Sequence, residues 1–73
     1  MSLLRRIEWG MMPRPGETVE IFQHQRLLAE GLVITVDTRT ITIASPDGLV
    51  DLDTTELRRG LKDGSIIVKR RRD

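Results

Sequence analysis

The stretch LVITVDTRTITI at residues 32–43 decides the predicted fold, because it holds two β-branched runs separated by a polar turn. Residues 32–36 and 41–43 show the residue preferences and the two-residue period of strands, and residues 37–40 form the turn that joins them. The stretch therefore predicts a β-hairpin.

Further strands flank this hairpin. Residues 18–22 alternate polar and apolar side chains, with Val19 and Ile21 on one face, and residues 49–52 and 65–69 read as later strands. Pro46 and Gly48 stand at the second and fourth positions of a predicted type I turn. For residues 23–30 the sequence leaves two structures open, a helical turn and a long loop.

The pattern changes to a helical period after Asp53. Asp53 and Glu56 have the spacing of a capping box, and Leu57 and Leu61 share one face. Gly60 weakens a helix by about 1 kcal/mol relative to Ala, so the helix is predicted to have two turns or fewer.

This order of elements predicts a mainly β chain: a small SH3-like antiparallel barrel of four to five strands, with one short helix before the last strand. Closing a sheet removes its exposed edges and suits a chain this short. We expect a basic N-terminal arm or extra strand at residues 1–14, the barrel at 15–69 and a basic tail at 70–73. The predicted core is Val19, Ile21, Leu32, Ile34, Val36, Ile41, Ile43, Val50, Leu52, Leu57, Leu61, Ile66 and Val68.

The sequence PGETVEI at residues 15–21, followed by GLVITVD at 31–37, resembles the opening of a KOW-type barrel, the module of ribosomal proteins and transcription elongation factors. The resemblance covers residues 15–44. It implies an SH3-like fold and contact with RNA. Residues 23–30 depart from the family pattern, because they lack its glycines.

The composition argues against catalysis. The 73 residues include no cysteine and only one histidine, His24, so a disulfide framework, a zinc site and a catalytic triad are not expected. Asp51 and Asp53 alternate along one strand and read as solvated positions and a helix cap. We expect no enzyme activity, no cofactor and no metal, no signal peptide or membrane span, and a reducing cytoplasm.

The net charge of +1 conceals a segregation of charge, with a net of +2 over residues 1–14, −5 over 15–55 and +4 over 56–73. A basic cluster is therefore expected near the C-terminus. It reads either as a contact for phosphate or a protein partner, or as a solubilising tail. The residues of this cluster are Arg58, Arg59, Lys62, Lys69, Arg70, Arg71 and Arg72.

The N-terminal stretch is more apolar than a tail requires. One interpretation is a strand or lid that covers an open end of the barrel, with Trp9 in the core. The other is an arm whose aromatic and methionine side chains fill a groove of a partner. The partner-binding candidates in this arm are Arg5, Arg6, Trp9, Met11 and Met12.

In size and charge the chain is similar to small phage-encoded regulators of bacterial RNA polymerase. That resemblance implies a non-catalytic protein in the bacterial cytoplasm that binds the polymerase and inhibits initiation, promotes antitermination, or does both. Two alternatives stay open: a stand-alone KOW-type RNA- or DNA-binding protein, and a small structural subunit of a phage assembly.

Overall fold

The computed structural model describes residues 12–71, which form five strands and one helix. The elements are β1 (Thr18–Gln23), β2 (Arg26–Val36), β3 (Thr40–Ser45), β4 (Gly48–Asp53), α1 (Thr54–Asp63) and β5 (Ile66–Arg71). The predictions for residues 1–11 and 72–73 lie outside the described residues.

The five strands form one antiparallel sheet in the order β4-β3-β2-β1-β5. The expected mainly β chain with a short helix before its last strand is confirmed. Strands β4 and β5 are the two edges of the sheet, which is not closed into a barrel within residues 12–71.

The undecided residues 23–30 are a tight turn and the first half of a long strand. His24 and Gln25 both have positive φ, 49° and 68°, as a two-residue hairpin of type I′ requires. Strand β2 therefore begins at Arg26 and runs for eleven residues. The usual Asn-Gly signal is absent, although histidine is enriched in this left-handed conformation.

The core lies on one face of the sheet and is covered by helix α1. Strands β1 and β3 each contribute two fully buried side chains, as predicted, and Leu57 and Leu61 of the helix complete the cluster. Its members are Val19, Ile21, Ala29, Val33, Ile41, Ile43, Leu57, Leu61 and Ile66. Met12, Val36, Val50, Leu52 and Val68 are partly buried against it.

The predicted inward face of β2 is wrong. Leu32 and Ile34 are 45% and 44% exposed, and Ala29 and Val33 are buried in their place. Strand β2 begins at Arg26 and therefore includes the charged Glu30, which must face solvent. Side chains alternate along a strand, so Leu32, two residues further on, lies on the same side as Glu30.

A β-bulge explains why Val36 nevertheless packs against the core. Val33 pairs with Ile43 and Val36 pairs with Ile41, so three residues of β2 span a distance that two residues of β3 cover. The extra residue shifts the alternation of the strand, so Val33 and Val36 both face the core although they are three residues apart. Ile34, which lies between them, is exposed.

Gly31 allows strands β2 and β3 to approach closely on the core side. It has φ +143°, and a Cβ atom at this position would stand 2.0 Å from the carbonyl oxygen of Ala44. Any larger residue would have to displace backbone, so the close approach of the two strands depends on this glycine.

Helix α1 begins and ends as predicted, but the expectation of two turns or fewer is wrong. The Asp53 carboxylate accepts hydrogen bonds from the Thr55 and Glu56 amides, and Gly64 terminates the helix with φ +87°. The helix runs for ten residues. Gly60 is buried against Ile66 of β5, and this close packing offsets the low helix propensity of glycine.

Candidate interaction surface

The outer face of the sheet, opposite helix α1 and the core, carries a row of apolar side chains across three strands. Phe22 of β1 pairs with Ile67 of β5 on one side and with Leu27 of β2 on the other. Ile67 and Leu27 are about half exposed. The row borders a pocket of about 450 Å³, lined in part by Phe22, Ile67 and Lys69. Cross-strand neighbours of this kind form a continuous apolar strip.

A second apolar row crosses the other half of the outer face. Leu32 of β2 pairs with Ala44 of β3, which pairs in turn with Leu49 of β4. Leu49 is 71% exposed, more than any other large apolar residue in the described part of the chain, and Ile34 is exposed further along β2. The outer face thus presents apolar surface on all of its strands.

Charged side chains separate the two rows. Arg71 Nη2 lies 3.2 Å from Glu20 Oε2 and 4.0 Å from Glu30 Oε1. Lys69 Nζ lies 5.3 Å from the centroid of the Phe22 ring, in the geometry of a cation–π contact. The outer face therefore combines apolar strips with side chains of both charges.

The predicted basic cluster is divided between two sides of the molecule. Arg58, Arg59 and Lys62 are exposed on helix α1, which covers the core side of the sheet. Lys69 and Arg71 belong to the outer face, because they alternate with the inward Val68. The spacing in sequence suggested one patch, and the β5 pleat separates its members.

Arg70 is engaged within the domain. Its Nε donates to Glu17 Oε2 at 3.0 Å and its Nη2 donates to the Met12 carbonyl at 2.8 Å. Glu17 Oε1 accepts from the Arg14 amide at 2.8 Å. We call this arrangement of Met12, Arg14, Glu17 and Arg70 the clasp, because it fixes the segment before β1 to the end of β5.

The N-terminal candidates fall mostly beyond the structure. Arg5, Arg6, Trp9 and Met11, like Arg72 at the other end, lie outside the described residues. Met12 is described, and it packs against the core.

The two aspartates singled out in the sequence have structural partners, and the histidine is exposed. Asp51 accepts a hydrogen bond from the Thr42 hydroxyl at 2.8 Å, and Asp53 caps the helix. His24 is exposed in the β1–β2 turn. Within residues 12–71, no three His, Cys, Asp or Glu side chains are grouped so that they could hold a metal ion.

Two turn carboxylates have lowered pKa values. Hydrogen bonds from the backbone amides of Thr40 and Arg39 lower the pKa of Asp37, because they favour its charged form. Hydrogen bonds from Ser65, first of its side chain and then of its amide, lower the pKa of Asp63. Both carboxylates stabilise turns at the ends of elements.

The apolar outer face was missed by the sequence analysis, although the sequence contains a signal for it. Glu30 stands between Ala29 and Gly31, so a strand through these residues must turn Glu30 to solvent. The same period places Leu32 on the side of Glu30. Extending β2 toward its N-terminus would have revealed this face.

The described residues contain no helix of the length and apolarity that crossing a membrane demands. Comparison with protein-family models, curated proteins and solved structures finds no match to this chain. The resemblances to KOW-type barrels and to phage regulators therefore stay predictions.

Proposed function

We propose that this chain is a non-catalytic regulator that binds a larger protein through the outer face of its sheet. The observation that carries the proposal is the exposure of large apolar side chains on that face. They are Leu27, Leu32, Ile34, Leu49 and Ile67. Contiguous apolar surface on a small domain is typical of interaction sites, since it is costly to leave in water.

The charges between the apolar rows would supply specificity. Between the rows lie side chains of both charges, Glu20, Glu30, Lys69 and Arg71, and Arg71 forms an ion pair with Glu20. In protein interfaces such groups determine orientation and encounter rate, and the desolvated apolar anchors supply most of the affinity. The outer face offers both kinds of group.

We propose bacterial RNA polymerase as the partner, with inhibition of initiation, antitermination, or both as the outcome. Support comes from the resemblance in size and charge to phage regulators of that enzyme. The strand order β4-β3-β2-β1-β5, with a helix between β4 and β5, supports an SH3-like fold as part of the same proposal.

Co-elution with purified core RNA polymerase tests the partner, and paired variants test the surface. Leu49→Asp combined with Ile67→Asp changes both apolar rows at exposed positions. Removing two anchors of about 1 kcal/mol or more each should weaken binding at least about tenfold. Arg58→Glu combined with Arg59→Glu changes the opposite side and should have a smaller effect. No co-elution of the wild-type chain at low salt would reject the polymerase, and equal binding by the outer-face variant would reject the surface.

Nucleic-acid binding is a second candidate, favoured by the three exposed basic residues Arg58, Arg59 and Lys62 on one helix. It predicts a complex with RNA or duplex DNA alone, whose affinity falls steeply as salt rises. In a gel-shift assay, Arg58→Glu with Arg59→Glu should abolish that complex, and Leu49→Asp with Ile67→Asp should leave it intact. The absence of any complex at low salt would remove this candidate.

An assembly subunit is the third candidate, favoured by edge strands β4 and β5, which pair on one side only within residues 12–71. Exposed edges are templates for pairing with further strands. Sedimentation of the purified chain should then reveal rings or higher oligomers, and a monomer at all concentrations would exclude this role.

A further inference from the structure

A pocket opens at one end of the outer face, where the turn between β1 and β2 meets the connection from helix α1 to β5. Its volume of about 450 Å³ is within the range of about 300–1,000 Å³ that ligand pockets have. The His24 amide donates to the Ser65 carbonyl at 3.2 Å, so the turn and the connection are joined at this place. We call it the turn pocket, and its lining includes Phe22, His24, Gln25, Ser65, Ile67 and Lys69.

The turn pocket combines apolar surface with hydrogen-bond donors. Phe22 and Ile67 are cross-strand neighbours that supply the apolar surface, and Ile67 is 55% exposed. Lys69, His24 and Gln25 have side chains that carry N–H donors. None of the described residues that line the pocket is acidic. The lining is therefore complementary to a group that is partly apolar and partly anionic.

The Lys69 ammonium group has no carboxylate partner among residues 12–71. Its cross-strand neighbour is Glu20, but Glu20 Oε2 lies 3.2 Å from Arg71 Nη2 and forms an ion pair there instead. Lys69 Nζ lies 5.3 Å from the centroid of the Phe22 ring. A ring face occupies only part of an ammonium group that has three donors. Lys69 can therefore still receive an anion, at the edge of an apolar surface.

The nearby carboxylate of Asp63 does not line the pocket. Asp63 Oδ1 accepts a hydrogen bond from the Ser65 amide at 2.8 Å. Hydrogen bonds from Ser65 are the main cause of the lowered pKa of Asp63, and the charge of His24 adds a smaller lowering. The Asp63 carboxylate is therefore engaged within its own turn, and the pocket keeps the positive charge of Lys69.

We propose that the turn pocket binds an acidic side chain of the partner protein together with an adjacent apolar side chain. The carboxylate contacts Lys69 Nζ, and the apolar side chain covers Phe22 and Ile67. An apolar contact beside an opposite charge supplies both affinity and orientation. The inference rests on the proposed function, because it names the part of the partner that the outer face selects, but it does not require the partner to be RNA polymerase.

Two peptides test the site in an NMR titration. One is the acetylated and amidated peptide Gly-Ser-Glu-Phe-Ser-Gly, and the other has glutamine in place of glutamate. The glutamate peptide should shift the amide signals of His24, Ser65, Ile67 and Lys69. The glutamine peptide should bind about two- to fivefold more weakly, the range for one exposed ion pair, and high salt should remove the difference. Equal affinity for the two peptides, shifts confined to other surfaces, or no shifts at all would overturn the proposal.

Paired variants test the two halves of the pocket. Lys69→Gln should make the two peptides bind equally, and a preference for glutamate that survives this change would contradict the proposal. Lys62→Gln is the matched control, because it removes a lysine charge from helix α1 on the opposite side, and it should keep the preference. Ile67→Thr removes apolar surface from the pocket and should weaken both peptides. Leu49→Thr makes a similar change in the other apolar row and should weaken neither.

Co-elution with core RNA polymerase separates this inference from the proposed function. If the polymerase binds the outer face, but neither that binding nor the peptide preference depends on Lys69, only the turn pocket is wrong. If the polymerase does not bind, but the preference for glutamate holds and requires Lys69, the turn pocket is supported and only the partner is wrong.

Discussion

Gly60→Ala should destabilise the protein, although the same substitution stabilises an ordinary helix. Alanine in a helix interior is favoured over glycine by about 1 kcal/mol. At this position the new Cβ would stand 2.4 Å from both Cδ1 and Cγ1 of Ile66 and 2.9 Å from its Cβ. Overpacking of a core costs about 1–3 kcal/mol. Because the Ile66 Cβ cannot rotate away, we expect the upper end of that range and a net loss of about 1–2 kcal/mol.

Thermal and urea unfolding followed by circular dichroism measure this loss. For a domain of this size, 1 kcal/mol shifts the melting temperature by about 4–8 °C, so a fall of about 5–15 °C is expected. In an Ile66→Val background, which removes Cδ1, Gly60→Ala should cost less, and the double-mutant cycle gives the coupling. A gain of about 1 kcal/mol from Gly60→Ala would refute the reasoning, because helix propensity alone would then govern the site.

Three further predictions follow from contacts within the domain. Gly31→Ala should prevent stable folding, because its Cβ would meet the Ala44 carbonyl oxygen, and the loss of dispersed amide signals in an NMR spectrum would show it. Asp53→Ala should cost about 1 kcal/mol in chemical unfolding, since two helix amides lose their acceptor; an unchanged unfolding midpoint would contradict the capping role. Asp37 has a lowered pKa in the folded state, so its stabilising effect is present above its unfolded pKa of about 4 and is lost as pH falls through the folded value. The difference in melting temperature between the wild type and Asp37→Ala should therefore shrink in acid, and a difference that stays constant down to low pH would exclude this linkage.

The sequence was sufficient for the elements whose signals are local. The Pro46–Gly48 turn, the Asp53 cap and the alternation of β1 and β3 depend on neighbouring residues, and all are found where predicted. The inward face of β2 depended on where the strand begins and on a bulge set by its partner β3. Neither is visible in a window of five residues.

The candidate surface was harder to predict because it depends on pairing between distant strands. Ile67, Phe22 and Leu27 meet only when β5 and β2 flank β1. Most of the described basic residues of the C-terminal third are exposed, as predicted. The exception is Arg70, which the β5 pleat turns inward, where it forms an ion pair with Glu17. Consecutive charged residues in a strand point to opposite faces of the sheet. Treating them as one patch because they are adjacent in sequence therefore misses this division.

The clasp has a consequence for how the domain can be joined to other proteins. The Met12 carbonyl and the Arg70 guanidinium are in direct contact, so the chain enters and leaves the sheet at neighbouring points. Adjacent entry and exit points allow a domain to be inserted into a surface loop of a host protein with little distortion of either. Residues 12–71 could therefore serve as a cassette, grafted through two short connections into an unrelated scaffold.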